Sequence, residues 1–233
     1  NKMNRSVGSK TTTTKPMECF RGLTVDLVKR ILQFLPTATR LVGGDLGSRF
    51  KWDGGAVADN GCLYCVPADS DRVLEYNPAT NTSTTIGKDL SKYGKDKWKD
   101  AVIGNDGNVY GLPRVSGTVL IINPHTKEVD VVDVSQGSWG RKKKGSYRGG
   151  VLAADGMIYI LPHQSELSTQ VLRFDPTDRT ATLVGQKFPG EGKWCGGVLG
   201  KDGCVYGIPS NASRILRFDP TTQIASLVGD DFG

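Results

Sequence analysis

The chain has 233 residues, of which 37% are hydrophobic, thirty are glycine and eleven are proline; that is enough apolar material for a core and implies many turns, without collagen's three-residue period. No apolar run approaches the roughly 18 residues that span a bilayer as a helix, and Asn1 to Lys15 lack the apolar centre of a secretory leader. The net charge of +6 permits acidic partners, but the basic residues are scattered, which argues against a nucleic-acid surface.

In chain order, residues 1–18 read as a flexible polar tail. The next segment supports two readings. Arg30-Ile31-Leu32-Gln33-Phe34-Leu35-Pro36-Thr37 matches Arg214-Ile215-Leu216-Arg217-Phe218-Asp219-Pro220-Thr221 near the C-terminus, which makes 19–43 a partial repeat. Apolar residues at 23, 27, 28, 31, 32 and 35 also fit one helical face, and the run from Leu23 to Pro36 resembles the opening of an F-box. Too few residues precede the first tryptophan-containing repeat for a complete F-box domain, so the partial repeat is the favoured reading.

From there the chain repeats itself, and self-similarity at a fixed period decides the architecture. Lys51-Trp52-Asp53-Gly54-Gly55-Ala56-Val57 returns as Lys193-Trp194-Cys195-Gly196-Gly197-Val198-Leu199, with Lys97-Trp98 and Ser146-Tyr147 between. The aromatic positions 52, 98, 147 and 194 are separated by 46, 49 and 47 residues; Gly61, Gly107, Gly156 and Gly203 keep that spacing, as do Pro67, Pro113, Pro162 and Pro209. The complete units span about 44–87, 88–133, 134–185 and 186–229. Each holds four short apolar runs. Asn60, Asp106, Asp155 and Asp202 before glycine predict a type I′ hairpin after the first run. Asn77-Pro78, Asn123-Pro124, Asp175-Pro176 and Asp219-Pro220 predict a turn after the third.

Four strands joined by tight turns, repeated at this period, predict an all-β fold: a β-propeller of four-stranded antiparallel blades. Four complete blades and a degenerate N-terminal one make about five. The repeat resembles propellers of the kelch, quinoprotein and YVTN-like kinds, in its paired glycines and aromatics and in its Asp-Pro-x-Thr turn, although the kelch order of glycine pair, tyrosine and tryptophan is not reproduced. The resemblance covers residues 41 to 229 and implies a rigid disc whose loops meet partners.

The candidate binding residues are the pairs Lys51 and Trp52, Lys97 and Trp98, and Lys193 and Trp194, with Tyr147 at the third equivalent place. As an aromatic-cationic pocket they would stack a sugar or hold an anion; otherwise they pack between blades. The cluster Arg141, Lys142, Lys143 and Lys144 reads first as a solvated loop and second as a contact for an acidic protein. No catalytic or metal site emerges. The aspartates before glycine are explained by turns, and His125 and His163 occupy non-equivalent places. No acidic ring for a central metal can be assembled from equivalent positions.

The five cysteines, Cys19, Cys62, Cys65, Cys195 and Cys204, form no even disulfide framework. Cys62 and Cys65 would face opposite ways along a strand. A reducing compartment is therefore expected, while the sequons at Asn81 and Asn211 keep a secreted origin open. The resulting expectation is a non-enzymatic protein-interaction scaffold, a rigid subunit of a larger assembly, needing no cofactor. Its alternatives are a glycan-binding propeller lectin and, more distantly, a metal-dependent hydrolytic propeller enzyme.

Overall fold

The computed structural model of the protein describes residues 50–135, 146–164 and 168–233, together with Val42 and Leu46. The partial repeat at 19–43, apart from Val42, the polar tail, Cys19 and the cluster Arg141 to Lys144 lie outside the described residues.

The described chain forms four antiparallel sheets of four strands, each in the simple order of the sequence. The first blade is β1 Trp52–Val57, β2 Leu63–Pro67, β3 Val73–Asn77 and β4 Thr82–Ile86. The second is β5 Trp98–Ile103, β6 Val109–Pro113, β7 Thr118–Ile122 and β8 Val129–Asp133. The third is β9 Ser146–Leu152, β10 Ile158–Gln164, β11 Val171–Asp175 and β12 Thr180–Val184. The fourth is β13 Trp194–Leu199, β14 Val205–Pro209, β15 Ile215–Asp219 and β16 Ile224–Val228. Four blades therefore stand in the described region, where the sequence predicted about five in the whole chain. No helix among the described residues is long and apolar enough to cross a membrane.

The turns follow the side chains that were expected to make them, with one correction. In the turn after the third strand, Asn77, Asn123, Asp175 and Asp219 each accept backbone N–H bonds two and three residues on. The first hairpin is not type I′. Gly61, Gly107, Gly156 and Gly203 have φ of 76–82°, but the preceding Asn60, Asp106, Asp155 and Asp202 do not share the left-handed conformation. Gly61 N–H instead bonds Ala58 O, and Ala58 N–H bonds Cys62 O, so the loop is longer and needs only one positive φ.

The aspartates do a second job there. Asp106, Asp155 and Asp202 accept the hydroxyls of Tyr110, Tyr159 and Tyr206 at 2.6, 2.7 and 2.9 Å. Tyr110 and Tyr159 also reach out of their own blade. Tyr110 packs on Phe174 of the next blade with ring centres 5.8 Å apart, and Tyr159 on Phe218 at 5.0 Å.

The cores lie between blades rather than within them. One cluster joins Tyr64, Val66 and Val73 to Trp98, Val109 and Ile122. A second joins Tyr110 and Leu112 to Tyr147, Ile158 and Phe174. The third joins Tyr159 and Leu161 to Trp194, Val205 and Phe218. Each conserves one arrangement: the outgoing face of one blade meets the aromatic that opens the next.

Candidate active site

The inner strands β1, β5, β9 and β13 run side by side, and each carries a bulge at the same place. Trp52 pairs with Pro67 and Gly55 with Cys65, so Asp53 and Gly54 together oppose Val66 alone. Lys99 and Asp100 oppose Leu112, Arg148 and Gly149 oppose Leu161, and Cys195 and Gly196 oppose Ile208 in the same way. Such a bulge re-aims the side chains it contains. Its second residue takes a positive φ: 88° at Gly54, 62° at Asp100, 75° at Gly149 and 90° at Gly196. Inner strands also approach closely here; a Cβ on Gly149 would lie 2.4 Å from Gly196 Cα.

The bulges gather charge. Lys99 Nζ bonds Asp53 Oδ2 at 2.6 Å between two half-buried side chains. Arg114, the residue after Pro113, lies 3.8 Å from Asp53 and 3.0 Å from Asp96. His163 holds the equivalent place after Pro162, and its Nδ1 is 2.8 Å from Trp194 O. A carbonyl can only accept, so Nδ1 carries a hydrogen, and in the neutral ring Nε2 holds the lone pair. Burial holds the His163 pKa below its ordinary value, and the positive charges of Arg148, Lys193 and Arg114 act the same way against the opposing bond to Trp194. Asp100 is shifted upward, chiefly by burial, with Lys99 and Arg148 pulling against it and Asp53 reinforcing it. Arg148 Nε is buried with no hydrogen-bond partner among the described residues.

The site was missed in the sequence because its residues do not repeat. The bulge and post-proline positions are structurally equivalent, yet they read Asp53, Lys99, Arg148, Cys195 and Ala68, Arg114, His163, Ser210. A comparison of repeats that looks for recurring residues passes over them. The signal was present as the non-recurring charge just after each recurring aromatic or proline.

The residues singled out from the sequence sit elsewhere. Trp98, Tyr147 and Trp194 are buried and Trp52 is half-buried. Each tryptophan indole donates to the carbonyl twenty residues on: Trp52 to Arg72, Trp98 to Thr118 and Trp194 to Arg214, at 2.9, 2.8 and 3.0 Å. Lys97 and Lys193 are buried too, their ammonium groups 2.9 and 2.7 Å from Gly94 O and Gly190 O. Burial lowers both lysine pKa values. Lys51 bonds Leu46 O and lies 5.8 Å from the centre of the Trp52 ring. His125 is exposed and faces Asp59 at 3.3 Å. Among the described residues no cluster of histidine, cysteine and carboxylate side chains could hold a metal. Cys62, Cys65, Cys195 and Cys204 are free thiols.

No family model matches the chain. No curated protein matches it in sequence. Solved structures do match, and they define the class: this is a β-propeller. A catalytically inactive form of virginiamycin B lyase from Staphylococcus aureus, solved with quinupristin, superposes with a TM-score of 0.60 at 11% identity, over 76% of this chain and 54% of its own. The periplasmic gluconolactonase of Pseudomonas aeruginosa gives 0.57 at 15% identity, over 76% and 53%. Hydrazine synthase of Kuenenia stuttgartiensis gives 0.56 at 12%, over 80% and 53%. The chain thus spans about half the length of these structures.

These matches overturn the expectation of a non-enzymatic scaffold. The blade array is shared with a lyase, a lactonase and a synthase, and they lend no support to a kelch grouping or to a role as a complex subunit.

Proposed function

We propose that the chain is the site-bearing part of a propeller enzyme that performs acid–base chemistry on a small anionic or carbonyl-bearing substrate at the inner-strand bulges. The observation that carries this is His163: a hydrogen bond from Nδ1 to Trp194 O leaves Nε2 of the neutral ring as a base, and burial beside cations lowers its pKa, which favours that neutral form. A neutral imidazole with a free Nε2 can take a proton from carbon or from water. Arg148 and Arg114 supply the positive charge that an oxyanion or carboxylate needs. A guanidinium N–H buried without a partner is unfavourable by about 1–3 kcal/mol, and an anion at Arg148 would relieve it. Asp53 and Lys99 brace the inner wall, and Asp100 carries a carboxyl held toward its protonated form.

The partial repeat at 19–43 is proposed as a further blade of the same array, on the strength of its match to Arg214 through Gly229.

Gluconolactone and quinupristin, the compounds associated with two of the matching structures, are the first substrates to test. Product formation is followed by mass spectrometry and proton release. The expected result is turnover that falls by about a hundredfold or more in His163→Asn, the range general-base removal produces, with circular dichroism and melting unchanged. Turnover that survives the substitution contradicts the proposal.

A further inference from the structure

The linkers that lead into the second and fourth blades begin alike and then diverge. Leu90 N–H bonds Asp71 O and Phe188 N–H bonds Thr169 O, both at 2.8 Å, and each acceptor stands two residues before the third strand of the preceding blade. Seven residues then separate Leu90 from Trp98, but five separate Phe188 from Trp194. The longer linker holds the single 3-10 turn Ser91–Tyr93. Leu90 is buried in that core, and Tyr93 meets the Trp98 ring edge-on at 5.6 Å. In the shorter linker Phe188 takes the edge-on place itself, 5.2 Å from Trp194, and stays half-buried. The linker thus lays two side chains in the core beside Trp98 and one beside Trp194.

Beside Trp194 lies a cavity of about 270 Å³, between this linker and the loop after β14. Phe188, Trp194 and Leu227 give it apolar walls, while Lys193, Asn211 and Ser213 supply polar groups. Sites for drug-sized ligands enclose roughly 300–1,000 Å³, so this one suits a single small ring. The Trp194 indole N–H is already held by Arg214 O, which leaves that ring as an apolar surface.

The lysines before the two tryptophans differ in their surroundings as well. Burial lowers the pKa of both; Asp71, Asp69 and Asp89 act against it at Lys97, but among the described residues Glu191 alone does so at Lys193, and Glu191 is exposed. An ammonium has three hydrogens to donate, and Lys193 places one on Gly190 O at 2.7 Å. A buried cation with so little counter-charge is favoured by an anion that brings acceptor oxygens. We propose that the cavity binds a small aromatic carboxylate, with its carboxylate on the Lys193 ammonium beside Asn211 and Ser213 and its ring against Phe188 and Trp194. This is a second site, distinct from the bulges. It adjoins the proposed base through Trp194, whose carbonyl accepts the hydrogen of His163 Nδ1.

Calorimetric titration of benzoate into the full chain tests this, with benzamide as a neutral ring of the same shape. Benzoate should bind saturably with a dissociation constant of about 1 mM or below. Benzamide should bind at least about tenfold more weakly, because a neutral hydrogen bond replaces a charge-assisted one. Lys193→Met should abolish benzoate binding. Leu227→Trp fills the cavity from a side chain that is 44% exposed, so it leaves the core intact even if Lys193→Met does not fold, and it should weaken benzoate by about tenfold or more. Absence of saturable benzoate binding at about 10 mM, or equal binding of benzamide, would overturn the proposal. So would benzoate affinity that is unchanged in folded Lys193→Met or in Leu227→Trp, since the anion would then be seated elsewhere.

Discussion

Asp100 is the residue at which the repeat departs most from what folding alone prefers. Its three equivalents are glycine, each at positive φ, and it adopts 62° with a side chain. A non-glycine residue in that region stores roughly 1 kcal/mol or more, and such strain persists where function holds it. Burial adds to the disadvantage by disfavouring its carboxylate. Both effects point the same way, so Asp100→Gly should raise the melting temperature by roughly 2–4 °C while reducing turnover at the site. Thermal denaturation at neutral pH checks the first part. A lower melting temperature would mean that the attraction of Lys99 and Arg148 for Asp100 and its bond from the Gly149 backbone outweigh its strain.

At the scale of the strand, the recurring residues turn out to be those that join blades. Trp98 and Trp194 each lie between two blades and tie the indole N–H to a carbonyl twenty residues on, which spans the second strand of their own blade. Trp194 also meets Phe188 edge-on at 5.2 Å. Trp194→Ala should therefore destabilise the protein by about 3–5 kcal/mol, the usual range for an excised buried aromatic, read as a lower midpoint in urea with little change in slope. An unchanged midpoint would remove Trp194 from the core. The strand plan was legible in the sequence because glycine, proline and the aromatic rings recur at fixed spacing, and each recurrence has a local cause. The bulge was not legible. It depends on two residues opposing one across a ladder, and the glycine pairs that hint at it also fit an ordinary edge. With the bulge hidden, Asp53, Lys99 and Arg148 looked like scattered surface charge. The role of Asp106, Asp155 and Asp202 in holding a tyrosine was hidden for the same reason, since the turn already accounted for them.

Across the described blades, one set of positions builds the array and another is left to vary. The inter-blade cores repeat from cluster to cluster, whereas the first bulge position and the post-proline position differ in every blade. That division puts the chemistry where the fold tolerates change, and it explains why a search for repeated pockets led to buried packing residues. The account stands or falls on His163 acting as a neutral base. A histidine whose folded pKa is depressed contributes stability above its ordinary value of 6.5 and loses that contribution as pH falls through the folded value. Nitrogen-detected NMR of the imidazoles reads the state directly, since the chain has only two histidines. At pH 6.5 His163 should be neutral with its proton on Nδ1, and it should titrate only at lower pH, while His163→Asn flattens the accompanying loss of stability. An imidazolium at pH 6.5, or a proton on Nε2, would contradict the proposed site.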